Sequence, residues 1–346
     1  MIKVLLLADT HLGFDLPSRP RVEKRRRGPD FFANTRLALE PALRGEVDLV
    51  VHGGDLLYRS KVPPGLVAQA LEPLLEVADT GVPVVLVPGN HERSVLPYPM
   101  LASHANLHIL DRPKTVKLEI NGTRVAIGGF PCERDNIRDR FSALVEECGV
   151  LAVSADLRLL CLHQTVEGSR VKGYTFRSGA DIIRGRDIPA GLAAVLCGHI
   201  HRTQVLARDL AGNRLAAPVI YPGSVERTSL AERDEPKGYL ILELEAEVES
   251  GGRLERREFR ELPARPMFAL RLDVSDLGPE DLEQHLRNEI SQMPADAVVQ
   301  IRLEGGLAPG SEEVIRAANL RSLHPPTMTL AVSVRTPNRV ARQDEA

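Results

Sequence analysis

Five apolar runs of this chain stop abruptly on residues able to hold a cation or move a proton. The first ends in Asp9-Thr10-His11, the second in Gly54-Asp55, and the third in Gly89-Asn90-His91; later ones end in His163 and in Gly198-His199-Ile200-His201. One such ending signifies little, because turns favour Gly and Asn, and a lone His at a strand end is usually structural. Repetition in this order carries more weight, since ligand sites of α/β proteins gather at the carboxyl ends of strands. Those ends hold two Asp, one Asn and five His. Oxygen and imidazole donors without thiolate suit Mn, Fe, Zn or Mg rather than a closed structural zinc site. So many ligands require two ions. In a two-metal site one carboxylate bridges the ions, which activate water and stabilise charge on a phosphoryl group. Asp55 is the natural bridge. Side chains at i and i+2 of extended backbone share a side, which predicts that Asp9 pairs with His11 and His199 with His201.

The elements that must position these residues follow from the hydrophobic pattern. "IKVLLLAD", "VDLVVHGGD" and "PVVLVPGN" read as strands, with "FFANTRLALEPAL" and "PPGLVAQALEPLLEVA" as helices between them. Further short apolar runs, "TRVAIGGF", "LRLLCLH", "AAVLCGH", "PVIYPGS" and "GYLILELEAE", are more closely spaced. Together they predict an α/β fold: a sandwich of two mixed sheets flanked by helices. After the Pro-punctuated "LPARP" a βαβαβ pattern begins, so the expected organisation is a domain over 1–262, a small domain over 263–337 and a polar tail over 338–346.

Composition narrows the function class. The chain has 346 residues, 43% of them hydrophobic, and a formal charge of −3, so it is neither disordered nor broadly basic. Residues 263–346 hold 9 Arg, no Lys and 12 Asp plus Glu, while the remainder is balanced. "IKVLLLAD" is too short for a signal peptide or a membrane span, and a cytoplasmic protein with no membrane partner is expected. Cys132, Cys148, Cys161 and Cys197 lack CxxC spacing and read as reduced, structural thiols.

The ordered set "DTH", "GGD", "GNHE", "LH" and "GHIH" resembles the calcineurin-like metallophosphoesterases over about the first two hundred residues. The resemblance implies a four-layer αββα sandwich. It places one divalent ion on Asp9, His11, Asp55 and His201, and a second on Asp55, Asn90, His163 and His199. Manganese is the expected metal, with Mg, Fe and Zn as alternatives. His91 is then a catalytic residue beside the ions that stabilises the transition state or protonates the leaving oxygen. His52, just before the Gly-Gly-Asp turn, is a candidate to orient a ligand.

Three features extend the resemblance to SbcD and Mre-type DNA repair nucleases. They are the segment "YPGSVERTSLAERDEPKGYLILEL", the helix after Gly-Asp, and the terminal module, which resembles a capping domain. This implies a two-metal DNA phosphodiesterase with 3′–5′ exonuclease and single-strand endonuclease activity. The basic run "RPRVEKRRR", which includes Arg25 and Arg26, suits phosphate neutralisation, although a solvated loop is the plainer reading.

Departures from the pattern shape the alternatives. Tyr58 stands where Mre-type enzymes have a second catalytic His. Arg59 follows it, so "GDLLYRS" is also similar to the "GDxxDRG" of protein phosphatases, whose arginine grips phosphate. Tyr58 and Arg59 are therefore candidate substrate-binding residues, and a phosphoesterase acting on small nucleotides or phosphoproteins is the second reading. A non-catalytic scaffold is the third. The resemblance further implies a homodimer through the helices after Asp55 and after Asn90. An SbcC-like coiled-coil ATPase partner receives little support from the segment after the small module.

Overall fold

Every residue but one of the first strand, IKVLLL (β1, Ile2–Leu7), is buried, and its side chains divide between two cores. Leu5 and Leu7 join a core with helix residues, whereas Ile2, Val4 and Leu6 point the other way. Successive strand residues face opposite sides, so a strand covered on both faces reads as a continuous apolar run rather than an alternating one. The structure, a computed structural model, describes residues 1–15 and 27–335. Arg25, Arg26 and the expected tail over 338–346 lie outside the described residues.

β1 pairs in parallel with β2 (Leu49–His52), β2 with β3 (Val84–Leu86), and β3 with β4 (Leu107–Ile109). The strands Gly238–Glu245 and Arg253–Glu261 add antiparallel to the other edge of β1, completing a six-stranded mixed sheet. The second six-stranded sheet runs in the order Gln204–Arg208, Arg214–Tyr221, Ala194–Gly198, β7 (Leu157–His163), β6 (Thr123–Gly129) and β5 (Lys114–Ile120). It also mixes parallel and antiparallel pairs.

The inner faces of the two sheets meet in one core, where Val4, Leu6 and Val51 of one join Leu159, Cys161 and Leu196 of the other. Helices α1 (Gly28–Leu43) and α2 (Pro64–Asp79) cover the outside of the first sheet. Helix α3 (Ile137–Cys148) covers the second. This is the expected four-layer sandwich. Each fully buried aliphatic side chain contributes about 1.5–3 kcal/mol, so the middle layer fixes the two sheets firmly against each other. The four cysteines are free and buried. Burial pushes the Cys161 and Cys197 thiols up, the latter to about 12, in keeping with inert packing groups.

The chain divides into two compact units. The larger comprises 1–15, Arg27–Thr228 and Glu235–Ala264; the smaller comprises Ser229–Asp234 and 265–335. In the smaller, strands Met267–Asp273, Val298–Glu304 and Thr329–Val334 form a parallel sheet. Helix α4 (Pro279–Ser291) packs on it through Leu282, Leu286 and Ile290, a stripe of i, i+4, i+8 spacing. The second helix expected there is broken into α5 (Ser311–Val314) and α6 (Ala317–Leu323), because Arg316 between them is extended.

One expected element is absent. The segment after Asn90 forms no helix beyond a single 3₁₀ turn, Pro99–Ala102. Pro97 and Pro99 remove two amide donors and disfavour helical backbone at the residues before them.

Candidate metal centre

Parallel pairing brings the ligand-bearing strand ends to a common edge. Leu7 lies opposite His52, His52 opposite Leu86, and His163 opposite Gly198. The chain turns sharply just beyond, and Asp9, His11, Asp55 and His199 all have positive φ, between 45° and 87°. Such backbone is strained for residues with a Cβ and persists where surrounding contacts enforce it. Asp9 and His11 share a group as expected, although through turned rather than extended backbone, whereas the expected pairing of His199 with His201 is corrected. His199 and His201 diverge into different groups because His199 is in a left-handed turn. Gly54 makes the crowding tolerable: its φ is +99°, and a Cβ there would stand 2.4 Å from His163 Nδ1.

Two adjoining groups result. In one, the Nε2 atoms of His11 and His201 are 2.9 Å apart, and His201 Nε2 is 3.8 Å from Asp9 Oδ1. In the other, Asn90 Oδ1 is 3.0 Å from His163 Nε2 and 2.8 Å from His199 Nδ1. Asp55 belongs with both, being 3.3 Å from His163 and close to His11 and His91. The seven expected ligands, Asp9, His11, Asp55, Asn90, His163, His199 and His201, thus converge.

The donor set fits divalent cations. His163 Nδ1–H donates to the Gly53 carbonyl at 2.7 Å, so its Nε2 presents a lone pair to the oxygens of Asn90 and Asp55. Acceptors directed at one another need positive charge between them. Burial works to discharge His163, yet the Asp55 carboxylate lifts it to about 9, a proton filling the role a cation takes. Burial works against ionisation of Asp55 too, but the neighbouring imidazoles, His163 foremost, hold it far below the ordinary range. Burial, with the Asp55 charge adding to it, raises Asp9 to about 6 against the opposing pull of His201 and His163. It also pushes His11 well down and takes His199 to about 3, with neighbouring imidazoles adding to the effect. The neutral imidazoles of His11 and His199 and the buried carboxyls of Asp9 and Asp55 are what a cation site holds ready.

His91 sits at the rim. Its Nδ1–H donates to the Tyr58 carbonyl at 2.9 Å, which leaves Nε2 directed elsewhere, 3.8 Å from Asp55 Oδ2. Its backbone N–H donates to Asp55 Oδ1 at 2.8 Å. The Tyr58 ring lies 5.3 Å from the His91 ring and 5.7 Å from that of His11, so it walls this side. Arg59 is exposed, its guanidinium 5.7 Å from the Tyr58 ring centre. Arg27, the last residue of the basic run, is buried among Phe14, Phe31 and the Arg227 carbonyl, which corrects its reading as part of a phosphate-facing surface.

Two buried side chains brace the turns. His52 accepts from the Gly54 amide at Nδ1, so its Nε2–H donates to Thr10 Oγ1, whose proton goes on to the Leu56 carbonyl. Burial lowers His52 to about 3, and it stays neutral. Glu92, to which the sequence reading gave no role, accepts from the Leu57 amide at 2.5 Å and the Gly89 amide at 2.7 Å. It ties the Asp55 turn to the Asn90 turn. Burial, reinforced by Asp55, raises it to about 8. The one signal in the sequence was a glutamate directly after Gly-Asn-His.

Residues 2–203 match the family described as calcineurin-like phosphoesterase, and the chain belongs to that family of metal-dependent hydrolases. Within it the likeness is to Mre-type proteins. The chain is 27% identical over 319 residues to the DNA double-strand break repair protein Mre11 of Archaeoglobus fulgidus, covering 88% of this chain and 68% of the relative. The protein of that name from Aeropyrum pernix is 26% identical over 299 residues, covering 80% and 65%. The one from Haloferax volcanii is 30% identical over 312 residues, covering 88% and 62%. The chain spans about two thirds of the length of these relatives. No described helix is long and apolar enough to cross a membrane.

Proposed function

We propose that this protein is a two-metal DNA nuclease that hydrolyses phosphodiester bonds. The observation that carries the reading is the convergence of Asp9, His11, Asp55, Asn90, His163, His199 and His201 into two groups sharing Asp55. Asp9, His11, Asp55 and His201 would hold one ion, and Asp55, Asn90, His163 and His199 the other, with manganese as our choice. Bound there, the ions supply an activated water and neutralise charge on the phosphate. Backbone amides of His199 and His91 hold the Asp9 and Asp55 carboxylates in place. His91, oriented by the Tyr58 carbonyl, presents Nε2 to the substrate and stabilises the developing charge or protonates the leaving oxygen.

The likeness to proteins named for DNA double-strand break repair supports DNA as the substrate and repair as the setting. Exonuclease action in the 3′–5′ sense with single-strand endonuclease activity belongs to the same reading, as does a capping role for the smaller unit. Pairing of two copies would use α2 and the neighbouring segment where Val95, Tyr98, Met100 and Leu101 are exposed. The decisive experiment digests end-labelled single- and double-stranded oligonucleotides with Mn²⁺ and with chelator, at rising salt. Metal-dependent cleavage that weakens steeply with salt is expected. Intact oligonucleotides under all conditions would refute the reading.

A second reading, a small-substrate phosphoesterase, is favoured by Tyr58, which stands at the sequence position where Mre-type enzymes have a second catalytic His and whose ring lies 5.3 Å from that of His91. It predicts faster turnover of a small phosphodiester or phosphomonoester than of the oligonucleotide, and little response to salt.

A further inference from the structure

The segment "YPGSVERTSLAERDEPKGYLILEL" runs from Tyr221 to Leu244, after the last His motif. Two of its residues lie against the backbone of His201. Lys237, only 1% exposed, immediately precedes the strand Gly238–Glu245. Its Nζ donates to the His201 carbonyl at 3.0 Å and to Ser224 Oγ at 2.9 Å. The Ser224 amide reaches the same carbonyl at 3.3 Å, and the Ser224 hydroxyl donates onward to the Glu226 carbonyl. Gly223 permits this approach: its φ is +82°, and a Cβ there would stand 3.0 Å from the His201 oxygen.

A buried ammonium carries a desolvation cost that an apolar residue of equal length would not. What the charge provides here is a charge-assisted hydrogen bond to the main chain of one residue, with no contact to any ligand side chain among the bonds it makes to His201 and Ser224. The other turns have their own braces, His52 between the Asp9 and Asp55 turns and Glu92 between the Asp55 and Asn90 turns. The His201 turn is held by Lys237 and Ser224.

We propose that Lys237 is a positioning residue: anchored by Ser224, it fixes the His201 main chain so that the imidazole stays with His11 and Asp9. The inference rests on the reading of those three residues as ligands of one ion. Its consequence is selective, because His163, His199 and Asn90, which would serve the other ion, make no hydrogen bond to Lys237 or Ser224 among those described.

The test titrates the full chain with Mn²⁺ by calorimetry, with electron paramagnetic resonance counting free ion, for wild type, Lys237→Met and Ser224→Ala. Circular dichroism and the melting temperature of the chelated proteins report folding. Wild type is expected to bind two ions. In K237M one ion should keep its affinity within about twofold while the other weakens about 10–100-fold, the usual effect of removing a partner that orients a ligand. S224A should weaken that same ion about threefold or more. A folded K237M that binds both ions like wild type overturns the proposal, and so does equal weakening of both, the mark of general loosening. Should K237M not fold, unchanged binding by S224A overturns it. A wild type that binds no Mn²⁺ removes the site reading and this inference together, whereas two ions bound equally by wild type and K237M removes the inference alone.

Discussion

Glu92→Gln is the sharpest probe of how the site is built. The substitution keeps side-chain volume, so no cavity forms, but it replaces one acceptor oxygen by an NH₂ group that only donates. Both Glu92 oxygens accept buried amides, from Leu57 and Gly89, and they accept whether or not the carboxyl is protonated. In the variant one amide loses its partner and faces another donor. Losing a hydrogen bond and stranding a buried donor costs ~2–4 kcal/mol. For a unit of this size that lowers the melting temperature by roughly 5–10 °C. The assay is urea and thermal unfolding of the chelated protein across pH. The native state keeps the Glu92 proton up to about 8, whereas a free glutamate releases it near 4.5. Between those values the native state binds more protons, so this group's contribution to stability declines as pH rises. The variant lacks the group, so its deficit relative to wild type should be widest near the lower end of the window and narrow towards the upper end. A deficit under about 0.5 kcal/mol at the lower end, typical of an exposed site, or one that grows with pH, refutes the reasoning.

His91→Gln should retain two Mn²⁺ per chain while cleavage falls about 10²–10⁴-fold, the range for a lost acid–base group; loss of an ion would mean His91 is a ligand instead. Apparent Mn²⁺ affinity should rise as pH climbs through about 6, where the buried Asp9 carboxyl gives up its proton, and calorimetry in buffers of different ionisation enthalpy should register proton release on binding. An affinity flat across that range would contradict the Asp9 assignment. Gly54→Ala places a Cβ 2.4 Å from the His163 ring at a φ of +99°, so it should cut Mn²⁺ stoichiometry from two towards one. Full binding by that variant would show that the turn adjusts freely.

Much of the architecture can be read from the chain. Strands covered on both faces, such as IKVLLL and LRLLCLH, appear as continuous apolar runs, and each ends at the point where a polar side chain emerges. The helices α1 and α2 carry their apolar stripes plainly, so layered α/β structure and the identity of the candidate ligands followed from pattern and spacing. Sequence could not divide the ligands into two groups without the family resemblance. Alternation along an extended strand would pair His199 with His201, and the left-handed turn at His199 sends them apart.

The helix expected after Asn90 failed for a local reason, two prolines, that the sequence already contained. The braces are a different matter. Glu92 meets Leu57 across 35 positions, and Lys237 meets His201 across 36. Nothing in a linear pattern tells a buried glutamate or lysine from a solvated one, because the difference is made by which main-chain groups the folded layers leave without partners. The sequence by itself determined which residues stand at the strand ends. Only the tertiary structure decided how they face one another and what holds them there, because distant turns must be brought together before their amides and carbonyls have anything to bond.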